Sequence, residues 1–172
     1  MNKVYIAFLF ISFSSCSVIH DLDSYIDPSL YPLFELFKDE AIKYDRDIPD
    51  KNYKIVLKEN TKNNSPANTI TYNKNNFEIE VNKSVIEVIY ARKTKSDSLL
   101  VKLILYHELG HGFFNYPHIE GSIMSESQSL ERNSYHKLSH MYYDYQFFKH
   151  IDKPISEVQK LYIEEFGHPF EN

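Results

Sequence analysis

Residues 106–124 read YHELGHGFFNYPHIEGSIM, which puts three histidines, a glutamate and a methionine into one short stretch. The fold turns on whether these groups share one helix and the bend after it, or are scattered over a surface. Leading into them, SDSLLVKLILYHELGHG (96–112) places Leu99, Leu100, Leu103, Ile104, Tyr106 and His107 at helical spacing. Ser96 or Ser98 can cap this helix, and Asp97 suits its positive end. A run such as LLVKLILY implies a mostly buried helix, and polar groups carried into a buried helix need partners. His107 and His111 are four apart, so their rings project about 40° from one another, one turn above the other. A straight helix would leave His118 about 16 Å from His107. The chain must therefore bend: Gly112 can loosen the helix end, Asn115 can take a positive φ, and Pro117 cannot continue the helix.

If the bend is made, three imidazoles converge on one divalent ion, and their chemistry suits Zn2+ with a fourth position left open for water. Glu108 is rotated by about 100° from His107, so its carboxylate can reach that water without binding the ion. The pattern HELGH is the zincin arrangement, in which the glutamate is the general base for hydrolysis of a peptide bond. Two solvated surface histidines are the bland alternative, and the apolar run before them argues against it. Were His118 not a ligand, Glu126 or Glu131 could be a distant glutamate ligand. His136 and His140 repeat the spacing in HKLSH, but Lys137 stands where a glutamate would be needed, so they are expected on a helix surface, and His20, His150 and His168 in solvent.

The stretch resembles the metzincin metallopeptidases, in which HExxH is followed by a turn, a third histidine and a methionine-containing turn beneath the metal. HELGHGFFNYPH supplies His107, Glu108, His111 and His118, and SIM supplies Met124. The interval between the second and third histidines is one residue longer than in the common form. A similar longer register occurs in small bacterial lipoprotein relatives with HELGH and SIM elements. Some metzincins place a tyrosine ligand two residues after the methionine; Glu126 stands there, so no further ligand carries over. The resemblance implies a zinc endopeptidase whose protein or peptide substrate lies extended along a sheet edge, which TITYN or FEIEV could provide. A donor for the developing oxyanion could come from Tyr135 or His136. Met124 alone also reads as a gap-filling core residue.

The remaining chain supplies an α+β frame. PSLYPLFELFKDEAIKYDRD sets Leu30, Leu33, Phe34, Phe37, Ala41 and Ile42 at helical spacing, with Ser29 as a candidate cap. NYKIVLKEN alternates as a strand, and TITYN and FEIEV flank KNN as a hairpin in which an asparagine can turn left-handed. NKSVIEVIYARK fits a short helix better than a strand. Two C-terminal helices follow, the last opened by Pro154 and ended by Gly167. The expected architecture is a mixed twisted sheet, an active-site helix and C-terminal helices.

Residues 1–15, MNKVYIAFLFISFSS, have one positive charge and an apolar run shorter than the roughly twenty residues a membrane-spanning helix needs, and read as a lipoprotein signal peptide. FSSC resembles a lipobox, which makes Cys16 the lipidation site, residues 16–27 a tether and 28–172 the catalytic domain. The expected location is the bacterial cell envelope, membrane-anchored, facing the periplasm or the surface. With Cys16 lipidated, cysteine-based latency is not expected. The chain carries 14 Tyr, 12 Phe and no Trp, so tyrosine and phenylalanine must build the core. A net charge of −5 without long charged runs leaves no footprint for nucleic acid, and a monomer is expected. The rival from another class is a non-catalytic surface lipoprotein with a structural zinc site.

Overall fold

The computed structural model describes residues 24–84, 86–87, 95–119, 122–125 and 140–167. Outside them lie residues 1–15, expected to be a signal, and Cys16, His20, Glu126, Glu131, Tyr135, His136 and His168. The element order is β1 (Tyr25–Ile26), α1 (Tyr31–Lys43), β2 (Asn52–Lys58), a 3-10 turn (Lys62–Asn64), β3 (Ala67–Asn73), β4 (Asn76–Asn82), α2 (Lys95–Phe114), α3 (His140–Lys149) and α4 (Ile155–Phe166). The four strands form one mixed sheet in the order β1-β2-β4-β3. Pairing is parallel for β1–β2 and β2–β4 and antiparallel for β3–β4. The α+β class expected from the sequence is what the chain adopts. Residues 83–84 and 86–87 are helical, in line with the short helix read there.

TITYN belongs to β3, which has no second neighbour among the described residues, whereas FEIEV belongs to β4, paired on both sides. Of these two strands only β3 can therefore present an open edge. The hairpin forms as expected, but by another device. The N–H of Asn75 donates to Asn73 Oδ1 at 2.8 Å, so a side chain closes the turn. Left-handed asparagines occur instead at Asn63, Asn64 and Asn115.

Helix α1 buries Leu30, Phe34, Phe37 and Ala41, but Ile42 is 74% exposed. At 100° per residue Ile42 falls about a quarter turn or more outside the stripe centred on the other four. Nor does Ser29 cap the helix. Its N–H and hydroxyl both donate to Asp27 Oδ1 (3.0 and 2.6 Å), and Leu30 occupies the cap position with no side-chain bond. Pro154 and Gly167 bound α4 as expected, Gly167 at φ 87°.

The core is largely aromatic. Phe34 and Phe37 from α1, Tyr53 and Phe77 from the sheet and Phe113 from α2 stack or meet edge to face, Phe77 and Phe113 at 4.9 Å between centroids. On the opposite side Phe147 and Phe148 of α3 close on Phe37 and Tyr106. Each such side chain contributes about 1.5–3 kcal/mol by leaving water, and together they clamp α2 between sheet and α3. Lys102 ties the same three helices by charge. Its Nζ lies 2.8 Å from Glu40 of α1 and 2.7 Å from Asp144 of α3, while the Tyr106 hydroxyl donates to Glu40 at 2.7 Å. Burial raises the Asp144 carboxyl to about 7, against the pull of Lys102.

Candidate metal centre

Helix α2 runs through Gly112 to Phe114, so Gly112 does not loosen it. The requirement for glycine there is close approach: a Cβ would lie 2.4 Å from Phe77 Cε2. The bend comes at Asn115, whose φ of 54° lets the Tyr116 N–H fold back onto the carbonyl of Gly110 at 3.1 Å. Lys51 secures this end from outside. Its Nζ donates to the Gly112 carbonyl at 2.8 Å and to Asn115 Oδ1 at 3.3 Å, and burial lowers its pKa. Arg46 donates to the Tyr116 hydroxyl at 2.9 Å.

The bend returns His118 to the helix. His111 Nε2 lies 3.0 Å from His107 Nε2 and 3.2 Å from His118 Nε2, and one nitrogen from each ring falls within 4.8 Å of the others. The far sides of two rings are held by main chain: His107 Nδ1 is 2.8 Å from the Ile123 carbonyl and His111 Nδ1 2.6 Å from that of Tyr116. A carbonyl only accepts, so the ring hydrogen is assigned to Nδ1 and the Nε2 lone pairs face one another. Protonation is an unfavourable way to relieve them. Burial lowers His107 to about 4 despite the Ile123 carbonyl, and burial also lowers His111 below its ordinary value. Such a donor set could hold a metal ion.

Glu108 projects to the side of the rings, 8% exposed. The Thr69 hydroxyl, from β3, lies 2.6 Å from Oε2 and 3.0 Å from the Glu108 carbonyl. Burial raises the Glu108 pKa, and Thr69 partly offsets the rise. Rings and carboxylate line a cleft of about 470 Å³ between Ile104 and residues 65–69. A second hollow of about 390 Å³ continues past His111, between Thr69 and Thr71 on one side and Asn115 and Tyr116 on the other.

Beneath the helix, Ile119 and residues 122–125 are tied together by short-range bonds. The Ile119 N–H donates to the Met124 carbonyl at 2.9 Å, the Ser122 hydroxyl to the Ile119 carbonyl at 2.8 Å, and the Met124 N–H to Ser122 Oγ at 2.9 Å. Met124 is fully buried, and a Cβ on Gly110 would meet its Sδ at 2.6 Å. The packing role and the position below HELGH are one and the same. The Ile123 N–H donates to Gln146 Oε1 at 3.3 Å.

Three participants had no signal in the sequence: Thr69, the Ile123 carbonyl and Gln146, which reach the site across 39, 16 and 23 positions of chain. His140 opens α3. His150, expected in solvent, is half-buried with Nε2 3.0 Å from the Tyr145 hydroxyl, which in turn donates to Glu165. Comparison of the chain with protein-family models, with curated proteins and with solved structures gives no match.

Proposed function

We propose that the chain is a zinc-dependent endopeptidase of metzincin type, with His107, His111 and His118 holding the ion and Glu108 as general base. The observation that carries this reading is the convergence of three ring nitrogens, two of them on rings whose hydrogens main-chain carbonyls hold on the far side, beside a buried carboxylate in an open cleft. Two nitrogens bound to one tetrahedral zinc at about 2.0–2.1 Å stand about 3.3 Å apart, close to the separations of 3.0 and 3.2 Å. Bound there, zinc would supply a Lewis acid that lowers the pKa of a water and polarises a peptide carbonyl.

The chain's own residues supply the remainder. Thr69 engages Oε2 of Glu108, leaving Oε1 to take a proton from the attacking water and pass it to the leaving amine. Burial keeps that carboxylate more basic than one in solvent. An extended peptide fits the site because β3, which has no second strand beside it among the described residues, runs alongside it, with a hollow on each side of His111. Openness also favours the enzymatic reading over a structural zinc site, which closes its four positions with protein ligands and has no use for a base. Lipidation at Cys16 would hold this domain at the envelope membrane; Cys16→Ser should release it from the membrane fraction.

Zinc content and cleavage of an unstructured protein substrate, measured for wild type, Glu108→Gln and His118→Ala, test the assignment. Glu108→Gln should keep zinc and lose turnover, and His118→Ala should lose zinc. Equal zinc in His118→Ala would pass the third position to Glu126 or Glu131, and turnover retained by Glu108→Gln would remove Glu108 from its role.

A further inference from the structure

We infer that Gln146 is a positioning residue for the metal centre: its side-chain amide fixes the Ile123 main chain that orients His107, and so tunes how tightly the site holds its ion. The inference rests on the zinc reading above. Gln146 is completely buried on α3, between Tyr145 and Phe147 in a helix otherwise rich in aromatic side chains. An amide in such a place is destabilising unless its hydrogen bonds are made. Both are. Oε1 accepts from the Ile123 N–H at 3.3 Å and Nε2 donates to the Lys153 carbonyl at 2.8 Å. One partner is a donor and the other an acceptor, so a single amide orientation satisfies both.

The two anchors differ in rigidity. On the Lys153 side the α3–α4 connection is already braced, because the Lys153 N–H donates to the His150 carbonyl at 3.0 Å and the His150 N–H to the Gln146 carbonyl at 2.9 Å. On the Ile123 side, Ile119 and residues 122–125 are held by short-range bonds among themselves and by Met124 under Gly110. Gln146 is the polar bridge between the two. The Ile123 carbonyl then accepts from His107 Nδ1 at 2.8 Å, which sets the ring's rotation and the direction of its Nε2. Four groups in series thus run from the helix connection to a metal-facing nitrogen: the Lys153 carbonyl, the Gln146 amide, Ile123 and His107. A residue in direct contact with a ligating histidine typically changes metal affinity by about 10–100-fold. Gln146 acts one group further out, so the lower end of that range, about tenfold, is expected.

The test is zinc affinity, read by competition with a chromophoric chelator, and the visible absorption of the cobalt-loaded protein. Gln146→Met keeps the volume and removes both hydrogen bonds; it should bind zinc about tenfold or more weakly and shift the cobalt bands. Gln146→Glu retains an acceptor for Ile123 and should lie closer to wild type. Val158→Ala, a buried truncation on α4 away from this chain of bonds, is the control for general loosening. At a similar denaturation midpoint it should keep wild-type affinity and spectrum. Wild-type affinity in Gln146→Met, or an equal loss in Val158→Ala, would overturn the inference. A wild-type protein that takes up no zinc would overturn the zinc reading and this inference with it. If Gln146→Met does not fold, Gln146→Asn, one methylene too short to span both partners, replaces it with the same expectations.

Discussion

The two halves of α2 both carry ionisable side chains into the interior, and they satisfy them in opposite ways. Near the N-terminal half, Lys102 is enclosed by Glu40 and Asp144, with Tyr106 completing the Glu40 carboxylate. Each charge there faces an opposite charge, and Lys102 and Asp144 are both buried. Near the C-terminal half, His107, His111 and His118 direct ring nitrogens at one another, and Glu108 opens onto the same cleft. A buried polar cluster that closes on itself fixes the packing of helices; one whose atoms point at a common place could hold a metal ion there.

The largest expected effect separates the two halves by what they change. Glu108→Gln should lower turnover by about 10²–10⁴-fold with the denaturation midpoint nearly unmoved. If stability collapsed instead, the C-terminal half would be structural like the other. Next comes Lys102→Met, which strands two carboxylates in the interior and should lower unfolding free energy by about 3–5 kcal/mol; urea titration reads it. A stability close to wild type would mean the N-terminal cluster is not closed. Gly110→Ala drives a methyl group into Met124 Sδ and should cost about 1–3 kcal/mol, with a loss of zinc affinity that an equally destabilising substitution at the other end of α2 should not produce.

The smallest effect is a slope. Asp144 titrates near 3.8 when unfolded and at about 7 in the fold, raised by burial and by Glu40 against Lys102. Between those values the folded chain holds the extra proton, so this group's contribution to stability is full below the lower value and is lost as pH rises through the upper one. Tyr44 and Tyr106 also face the cluster, and burial holds both hydroxyls well above their ordinary range. Asp144→Asn should remove the slope, so the variant gains on wild type from about pH 4 to pH 7. Parallel curves for the two proteins would show that another group carries the proton.

What could be read in advance was whatever lies close together in the chain. The helix under HELGH, the bend at Asn115 and the return of His118 follow from spacing and from the left-handed tolerance of asparagine. The hairpin was legible as alternation, but its turn was not, because Asn73 Oδ1 competed successfully with a left-handed backbone. Gly112 was recognised as needed for the wrong reason, since Phe77, which demands its missing side chain, arrives from a strand far back in the chain. Ser29 does not cap α1 because the Asp27 carboxylate, two residues away, takes its hydroxyl and N–H. Thr69, Gln146 and the Lys102 cluster were invisible because nothing local marks a threonine, a glutamine or a lysine whose partner lies tens of residues away. The resemblance to metzincins rests on residues from one helix, its bend and the turn after it, while the polar groups that hold those residues come from β3 and α3.

The fit of Met124 against Gly110 has a chemical corollary. Thioether oxidation adds a polar oxygen to sulfur, and a carbon placed on Gly110 would already stand only 2.6 Å from that atom. Peroxide therefore has neither a path to this sulfur nor room for the product while the turn stays seated. The rate at which Met124 becomes sulfoxide, followed by mass spectrometry, accordingly measures how often the floor beneath the helix drops away.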